Sequence, residues 1–192
     1  GLAASAGTIV GSAHDFSGTA WSSGQTCVGC HAPHNTATLA DAPLWNHTLS
    51  TATYTVYASS TMNAVVGQPG STSKLCLSCH DGTVAVNSFG GVTGTTFLTG
   101  ADNFGTALGN DHPIGMTYDA ALVTADGALQ PITAAVTIGA VGKQKVGTIA
   151  SNMLYGGKME CASCHDVHNT FTASTKLVKT AAATLCTTCH AK

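Results

Sequence analysis

The chain has 192 residues, a formal net charge of -2, seven lysines and no arginine. This charge argues against nucleic acid as a partner, because phosphate recognition needs a basic face. The sequence has no run of about 18 apolar residues, so no membrane span is predicted. Only 8% of the residues are charged, whereas 29 are Thr and 22 are Gly, so the chain either stays disordered or folds around something that is not protein.

Four copies of one pattern, Cys-x-x-Cys-His, follow one another along the chain and use every cysteine. The cysteines are Cys27, Cys30, Cys76, Cys79, Cys161, Cys164, Cys186 and Cys189, and the histidines are His31, His80, His165 and His190. Eight cysteines could form disulfides in an exported protein. The 21 residues between Cys164 and Cys186 also approach the spacing of a zinc ribbon.

The histidine that ends each copy favours a third interpretation, which is covalent c-type haem. Neither a disulfide nor a zinc ribbon needs it, yet it is present in all four copies. The two thiols of a motif would add to the haem vinyl groups, and the adjacent histidine would be the proximal iron ligand. Four motifs predict four c-type haems, which would supply the missing core. The predicted fold is a multihaem cytochrome c, mostly irregular coil with short helices and a few short strands wrapped around a stacked haem chain.

Five further histidines are candidates for the distal iron position. They are His14, His34, His47, His112 and His168. An iron that only carries electrons takes two axial ligands, whereas an iron that binds a substrate keeps one position open. Four haems with two histidines each need eight of the nine present, so the count argues against a catalytic iron and leaves one histidine spare. Asp111 could orient His112, and either His14 or His47 is the expected spare.

Methionine is an alternative distal ligand. The four methionines are Met62, Met116, Met153 and Met159. Because enough histidines are present, we expect the methionines to pack against the porphyrins instead.

His34 and His168 follow the first and third motifs by three residues. The proximal histidine already occupies one face of its haem, and three residues cannot carry the chain around a porphyrin. We therefore predict that each of the two ligates a neighbouring haem, which implies haems in close contact.

An internal repeat organises the motifs. Residues 27–36 align with residues 161–170, whereas the second and fourth motifs are each preceded by leucine, at Leu75 and Leu185. The first and third motifs thus share a longer surrounding sequence than the second and fourth. This alternation predicts di-haem modules at 1–81 and 111–192 within a single tetrahaem domain, 1–192. Between the modules, residues 90–97 and 132–139 are β-prone. Short helices are expected to carry the motifs, above all over residues 181–190.

With these residues in place, the sequence resembles the multihaem c-type cytochromes of metal-reducing bacteria, and most of all the extracellular tetrahaem cytochromes that polymerise into filaments, the OmcE type. The matching segments are HDFS at 14–17, CxxCHxPHN at 27–35, LCLSCHDGT at 75–83, DHP at 111–113 and CASCHDVHN at 161–169. The resemblance implies bis-His ligation throughout, export from the cell and a continuous haem stack. In related six-haem filament cytochromes a neighbouring subunit donates an axial histidine, and the matching residue here is His34.

The expected function is electron transfer without catalysis, as the subunit of an extracellular conductive filament. Its partners would be further copies of the chain, other redox proteins and extracellular electron acceptors. The Gly-Leu start fits an exported chain whose signal peptide has been removed, located outside the cell, or alternatively in the periplasm or at the outer cell surface. Two alternatives are a soluble periplasmic tetrahaem shuttle and, with less support, a multihaem redox enzyme.

Overall fold

A computed structural model describes residues 9–34, 36, 39, 41–139, 142–170 and 176–191. The α-helices in these residues are α1 (Ser71–His80), α2 (Ala120–Asp126), α3 (Ile149–Asn152), α4 (Cys161–Cys164) and α5 (Ala182–Cys189). The strands are β1 (Met116–Thr117), β2 (Ala135–Ile138), β3 (Lys145–Thr148) and β4 (Lys158–Met159), and 3₁₀ helices cover Phe16–Gly18, Ala20–Ser22 and Gly100–Asp102. Most of the described chain is turns and irregular segments, which confirms the secondary structure expected of the fold class. The wrapping around haems stays a prediction.

The chain divides into two compact units. The N-terminal unit comprises Phe16–Thr61 and Val65–Met116. The C-terminal unit comprises Thr117–Lys192 with Met62–Ala64 and Gly1–Asp15, as far as these are described. The first two Cys-x-x-Cys-His motifs lie in the N-terminal unit and the last two lie in the C-terminal unit. The di-haem modules at 1–81 and 111–192 remain a prediction.

In the N-terminal unit, α1 provides the largest helical face. Leu77 of this helix is buried and packs with Tyr54 and Leu108. The same helix buries Ser73 and Ser78 completely, because small side chains allow the neighbouring chain to approach closely. Ser78 Oγ accepts a hydrogen bond from the backbone N–H of Ser50 at 2.9 Å. The cluster therefore combines three large side chains with buried small polar ones.

In the C-terminal unit, β2 and β3 form an antiparallel ladder that leads directly into α3. The register places Ala135 opposite Thr148 and Ile138 opposite Lys145. Thr148 then caps α3, since its Oγ1 accepts from the Ser151 N–H at 3.2 Å. Ile149, the next residue, is completely buried. The strand predicted within residues 132–139 is thereby confirmed.

The strand predicted over residues 90–97 is wrong, since this segment contains turns and irregular chain. Gly90 and Gly91 have left-handed backbone conformations, with φ of 65° and 78°, which an extended strand does not allow. The side chain of Asn87 accepts hydrogen bonds from the N–H groups of Thr95 and Thr96, both at 2.9 Å. The Asn87 side chain therefore accepts backbone hydrogen bonds that a neighbouring strand would accept in a sheet.

Among the described residues, no helix is both long enough and apolar enough to cross a membrane.

Candidate functional site

The second, third and fourth motifs are carried by α1, α4 and α5, as predicted, but the first is not helical. Its backbone forms a single turn in which the Cys27 carbonyl accepts from the N–H groups of Cys30, at 3.2 Å, and His31, at 2.9 Å. Gly29 disfavours helix, and a Cβ added there would lie 3.0 Å from the ring of Phe16. The prediction of a helix is therefore wrong for this motif.

The proximal histidines of the first three motifs direct their Nδ1 at backbone carbonyls. His31 donates to the Pro43 oxygen at 2.9 Å, and His80 donates to the Asp102 oxygen at 2.7 Å. His165 donates to the Lys176 oxygen at 2.9 Å. Because a carbonyl only accepts, Nδ1 carries the hydrogen and Nε2 is the nitrogen with the lone pair. This is the tautomer in which a second hydrogen bond orients a metal-bound imidazole.

The first motif is held by residues 43–46, which we call the first clamp. The Ala32 N–H donates to the Leu44 carbonyl at 3.0 Å, and the Asn46 N–H donates to the Cys30 carbonyl at 2.8 Å. Trp45 thereby lies opposite His31 in an antiparallel bridge, with the ring centroids 6.1 Å apart and nearly perpendicular. The clamp fixes the backbone on both sides of the proximal histidine.

The third motif has the same arrangement with residues 176–179, the third clamp. The Asp166 N–H donates to the Leu177 carbonyl at 2.6 Å, and the Lys179 N–H donates to the Cys164 carbonyl at 2.8 Å. Leu177 corresponds to Leu44, and both have left-handed backbones, with φ of 54° and 60°. The repeat inferred from about ten sequence positions therefore extends to backbone conformation well beyond those positions.

The fourth motif is bound by residues 128–130, which precede it in the chain and which we call the fourth clamp. The Gln130 N–H donates to the Cys189 carbonyl and the Ala191 N–H donates to the Ala128 carbonyl, both at 2.8 Å. Leu129 lies opposite His190 in an antiparallel bridge. The hydrogen-bond pattern matches that of the other two clamps, although the partner segment lies on the opposite side in sequence.

The second motif is supported by aromatic stacking. The Phe104 N–H donates to the His80 carbonyl at 2.7 Å. The rings of His80 and Phe104 stack with centroids 5.3 Å apart and planes inclined by 15°. Together with the Asp102 carbonyl, these contacts orient the His80 ring.

All eight cysteines are free thiols in this structure. Burial raises the pKa of Cys30 to about 11, with the Cys27 thiol adding to the effect. Burial raises the pKa of Cys79 to about 12, with contributions from Cys30 and Asp81, and burial together with Cys164 raises the pKa of Cys189 to about 11. In each unit, the thiols of the second cysteines of the two motifs therefore interact electrostatically. Within the described residues, no group of three or more His, Cys, Asp or Glu side chains is placed to hold a metal ion alone.

The five distal candidates differ in exposure. His112 is exposed, and its Nδ1 donates to the Pro113 carbonyl at 3.0 Å, a partner that the sequence did not indicate. His34 and His168 are also exposed, and the Nδ1 of His168 lies 4.0 Å from Asp166 Oδ1. His14 is half-buried. His47 is the one that is buried, with 5% of its surface exposed.

Among the buried charged residues beside the motifs, which sequence reasoning missed, Asp81 and Lys179 have shifted pKa values. Asp81 directly follows His80 and accepts from Ser50 Oγ at 2.5 Å and from the Tyr54 hydroxyl at 2.7 Å. Its other oxygen accepts from the N–H and the hydroxyl of Thr83, both at 2.7 Å. Burial alone would raise the pKa of Asp81, but these hydrogen bonds outweigh burial and lower it. The carboxylate is therefore held in its charged form.

Lys179 of the third clamp is the second of these two residues. Its Nζ donates to the Asn152 carbonyl and to the Tyr155 hydroxyl, both at 2.9 Å, and lies 4.8 Å from the Tyr155 ring centroid. Burial lowers the pKa of Lys179 to about 8, and Lys145 acts in the same direction. Asp166 and Cys164 oppose the shift, which places the ammonium group in electrostatic range of the third motif.

Comparison with known proteins identifies one family. Residues 155–192 match the family model described as the doubled CXXCH motif. The match covers less than half of the chain and includes its third and fourth motifs. No curated protein matches the chain. The doubled motif indicates covalently bound c-type haem and electron transfer, as in multihaem c-type cytochromes.

The residues present fit this group. Free thiols stand three residues apart in every motif, and three proximal imidazoles are held in the tautomer that leaves the lone pair on Nε2. The supporting carbonyls were not foreseen, because every residue has a carbonyl and no sequence signal marks the one that is used.

Proposed function

We propose that the chain conducts electrons through four covalently attached c-type haems and is the subunit of an extracellular cytochrome filament. The eight cysteines would hold the haems, and His31, His80, His165 and His190 would be the proximal ligands. When bound, haem iron supplies reversible one-electron oxidation and reduction. The chain's own residues attach, orient and electrically bias the haems.

The observation that carries the electron-transfer proposal is the way in which the proximal imidazoles are fixed. His31 and His165 are held by equivalent clamps, and each donates its Nδ1 hydrogen to a carbonyl. A ring that is fixed before and after electron transfer needs little rearrangement, and this suits a carrier rather than a substrate-binding iron. Nine histidines supply two ligands for each of four irons, so the proposal includes no open coordination position.

The pairing of motifs within each unit supports close haem pairs. The thiols of Cys30 and Cys79 interact electrostatically in the N-terminal unit, and those of Cys164 and Cys189 do so in the C-terminal unit. Haems attached at neighbouring thiols would lie close together. This arrangement supports two di-haem modules in one tetrahaem chain.

The filament part of the proposal rests on the resemblance to filament-forming cytochromes and on the surface. Only 8% of residues are charged, so few charges would be desolvated when subunits pack. Several valines are strongly exposed, among them Val65 at 89% and Val146 at 75%. His34 is exposed and follows the first motif at the offset from which it cannot reach its own iron. We propose that it ligates a haem of the next subunit.

The proposed location is outside the cell, after export. Electrons would pass along the filament from redox proteins of the cell envelope to extracellular acceptors such as metal oxides, other cells or electrodes.

Electron microscopy of the purified holoprotein tests the filament proposal, with His34→Ala and His168→Ala as a matched pair. We expect filaments from the unmodified chain. His34→Ala should yield monomers that retain four haems, because the missing ligand lies between subunits, whereas His168→Ala should lose a ligand inside one chain and still form filaments. Monodisperse monomers of the unmodified chain under all conditions would favour the periplasmic shuttle. Intact filaments from His34→Ala would refute the cross-subunit ligand.

A further inference from the structure

His47 is placed differently from the other eight histidines of the chain. It follows the first clamp directly, and its backbone forms an antiparallel bridge with Phe89. Its carbonyl accepts from the Trp45 indole at 2.8 Å. The ring is buried against the second motif, where its Nε2 lies 3.4 Å from the Sγ of Cys79.

Both ring nitrogens of His47 are directed at carbonyl oxygens. Nδ1 lies 2.7 Å from the Thr48 oxygen, and Nε2 lies 3.0 Å from the Ala85 oxygen. Ligation requires a nitrogen lone pair directed at a metal about 2 Å away. In each of these two directions a carbonyl oxygen already occupies that space, and the flat porphyrin around an iron would need much more room. A neutral imidazole donates through only one of its nitrogens, so the ring makes one of these two hydrogen bonds at a time. Because a carbonyl oxygen stands in both directions, the position fits an internal side chain and not an iron ligand.

The other four distal candidates are less buried than His47. His112 donates through Nδ1 to Pro113 and presents its ring at the surface, while His34 and His168 are exposed. With His14 they make four, which equals the number of distal positions on four bis-His haems. Removal of His47 from the candidates therefore leaves no histidine in excess.

We propose that His47 binds no iron and that its ring instead joins the segment that follows the first clamp to the second motif at Cys79 and to the adjoining Ala85. This inference rests on the proposed four-haem function. The ring spans two parts of the N-terminal unit that are far apart in sequence, since Ala85 is 38 residues and Cys79 is 32 residues from His47. It thereby positions the Cys79 sulfur for its thioether bond.

The test compares His47→Gln with His112→Gln in the purified holoprotein, by EPR of the ferric state and by haem content. We expect every haem of His47→Gln to remain low-spin, because no ligand is lost. His112→Gln should convert one haem in four to a high-spin signal. A high-spin haem in His47→Gln, or none in His112→Gln, would overturn the inference.

The positioning role is tested by His47→Leu. Gln keeps an amide that can donate to the Ala85 carbonyl, whereas Leu fills the space without a donor. We expect at least a twofold loss of haem on the peptide that contains Cys76 and Cys79 in His47→Leu, and recovery in His47→Gln, measured by mass spectrometry. Equal attachment in both variants would refute this role.

If neither variant folds, a structure of the unmodified holoprotein decides the question. A nitrogen of His47 bonded to iron would overturn the inference, and retained contacts with Thr48 and Ala85 would support it. These outcomes are separable from failure of the proposed function, which would appear as an unmodified chain without four covalent haems.

Discussion

Leu44 and Leu177 share a left-handed backbone, with φ of 60° and 54°, at the same point of the two clamps that hold His31 and His165. A side chain in this conformation costs roughly 1–2 kcal/mol, which glycine avoids. Leu44 is 49% exposed, whereas Leu177 is 7% exposed. The two positions therefore have the same strain and different burial.

Replacement by glycine should separate these two effects. We expect Leu44→Gly to be neutral or to stabilise by up to about 1 kcal/mol, because strain is relieved and little burial is lost. Leu177→Gly should destabilise by about 1–3 kcal/mol, since loss of the buried side chain exceeds the relief. Denaturant unfolding of both holoproteins measures the difference. Equal effects at the two sites would show that burial of Leu177 does not outweigh the relief of strain.

Stacking of Phe104 on His80 should be visible in the spectrum of one haem. Phe104→Leu frees the imidazole to rotate, so we expect changed g values for one low-spin signal and a change in its reduction potential below about 60 mV, which is a tenfold change in a one-electron equilibrium constant. Phe97→Leu is the control, because both phenylalanines are 49% exposed and Phe104 is the one stacked on the proximal histidine. Identical spectra for the two variants would remove this role from Phe104.

Asp81 should contribute stability that depends on pH. Its hydrogen bonds lower its folded pKa, so the contribution is complete above the ordinary value near 4 and is lost as pH falls through the lower folded value. Asp81→Asn should cost about 2–3 kcal/mol at pH 7, since all three hydroxyl donors lose a charged acceptor and the amide nitrogen that replaces one oxygen cannot accept. The difference from the unmodified chain should shrink below about pH 4. Unfolding experiments across this range measure it.

The exposed Asp41 provides the matched control. Asp41→Asn should change stability by less than about 0.5 kcal/mol at either pH. A constant difference for Asp81→Asn from pH 7 down to pH 3 would show that lost packing, and not charge, causes its effect.

Lys179 should raise the reduction potential of the haem at the third motif. If the ammonium group lies about 10 Å from the haem charge, an effective dielectric of about 20 gives an interaction energy of about 1.7 kcal/mol. This energy corresponds to a change of roughly 70 mV in a one-electron reduction potential. Burial lowers the pKa of Lys179 to about 8, so the potential of one haem should fall as pH rises through that value. Lys179→Met should lower this potential at pH 7 and remove the dependence.

Redox titrations at pH 7 and pH 9 measure the effect of Lys179. Lys143→Met is the control, because Lys143 is exposed. The dependence should persist in Lys143→Met. If the pH dependence of the potential also persists in Lys179→Met, the group that titrates is a residue other than Lys179.

The attachment residues could be predicted from sequence because the chemistry of haem requires their spacing. The same holds for α5, where the motif lies in a run of small helix-compatible residues, and for β2, where Val136 and Ile138 alternate with Ala135 and Thr137. These features depend on neighbouring residues in the chain.

The supports of the site depend on distant residues and could not be predicted. Pro43 and Lys176 contribute only carbonyl oxygens, which no residue type specifies. The partners of Asp81 include Ser50 and Tyr54, more than 25 residues away. The prediction of a strand at 90–97 was wrong for a related reason. The Asn87 side chain accepts the backbone hydrogen bonds that a neighbouring strand was expected to accept.

The central claim is that one chain carries four covalent haems, each with two histidine ligands. The most direct measurement is haem content per chain of the purified unmodified protein, combined with EPR of the same sample in the ferric state. We predict four haems per chain that resist extraction and give only low-spin signals. Fewer than four haems, or a stoichiometric high-spin signal, would contradict the account.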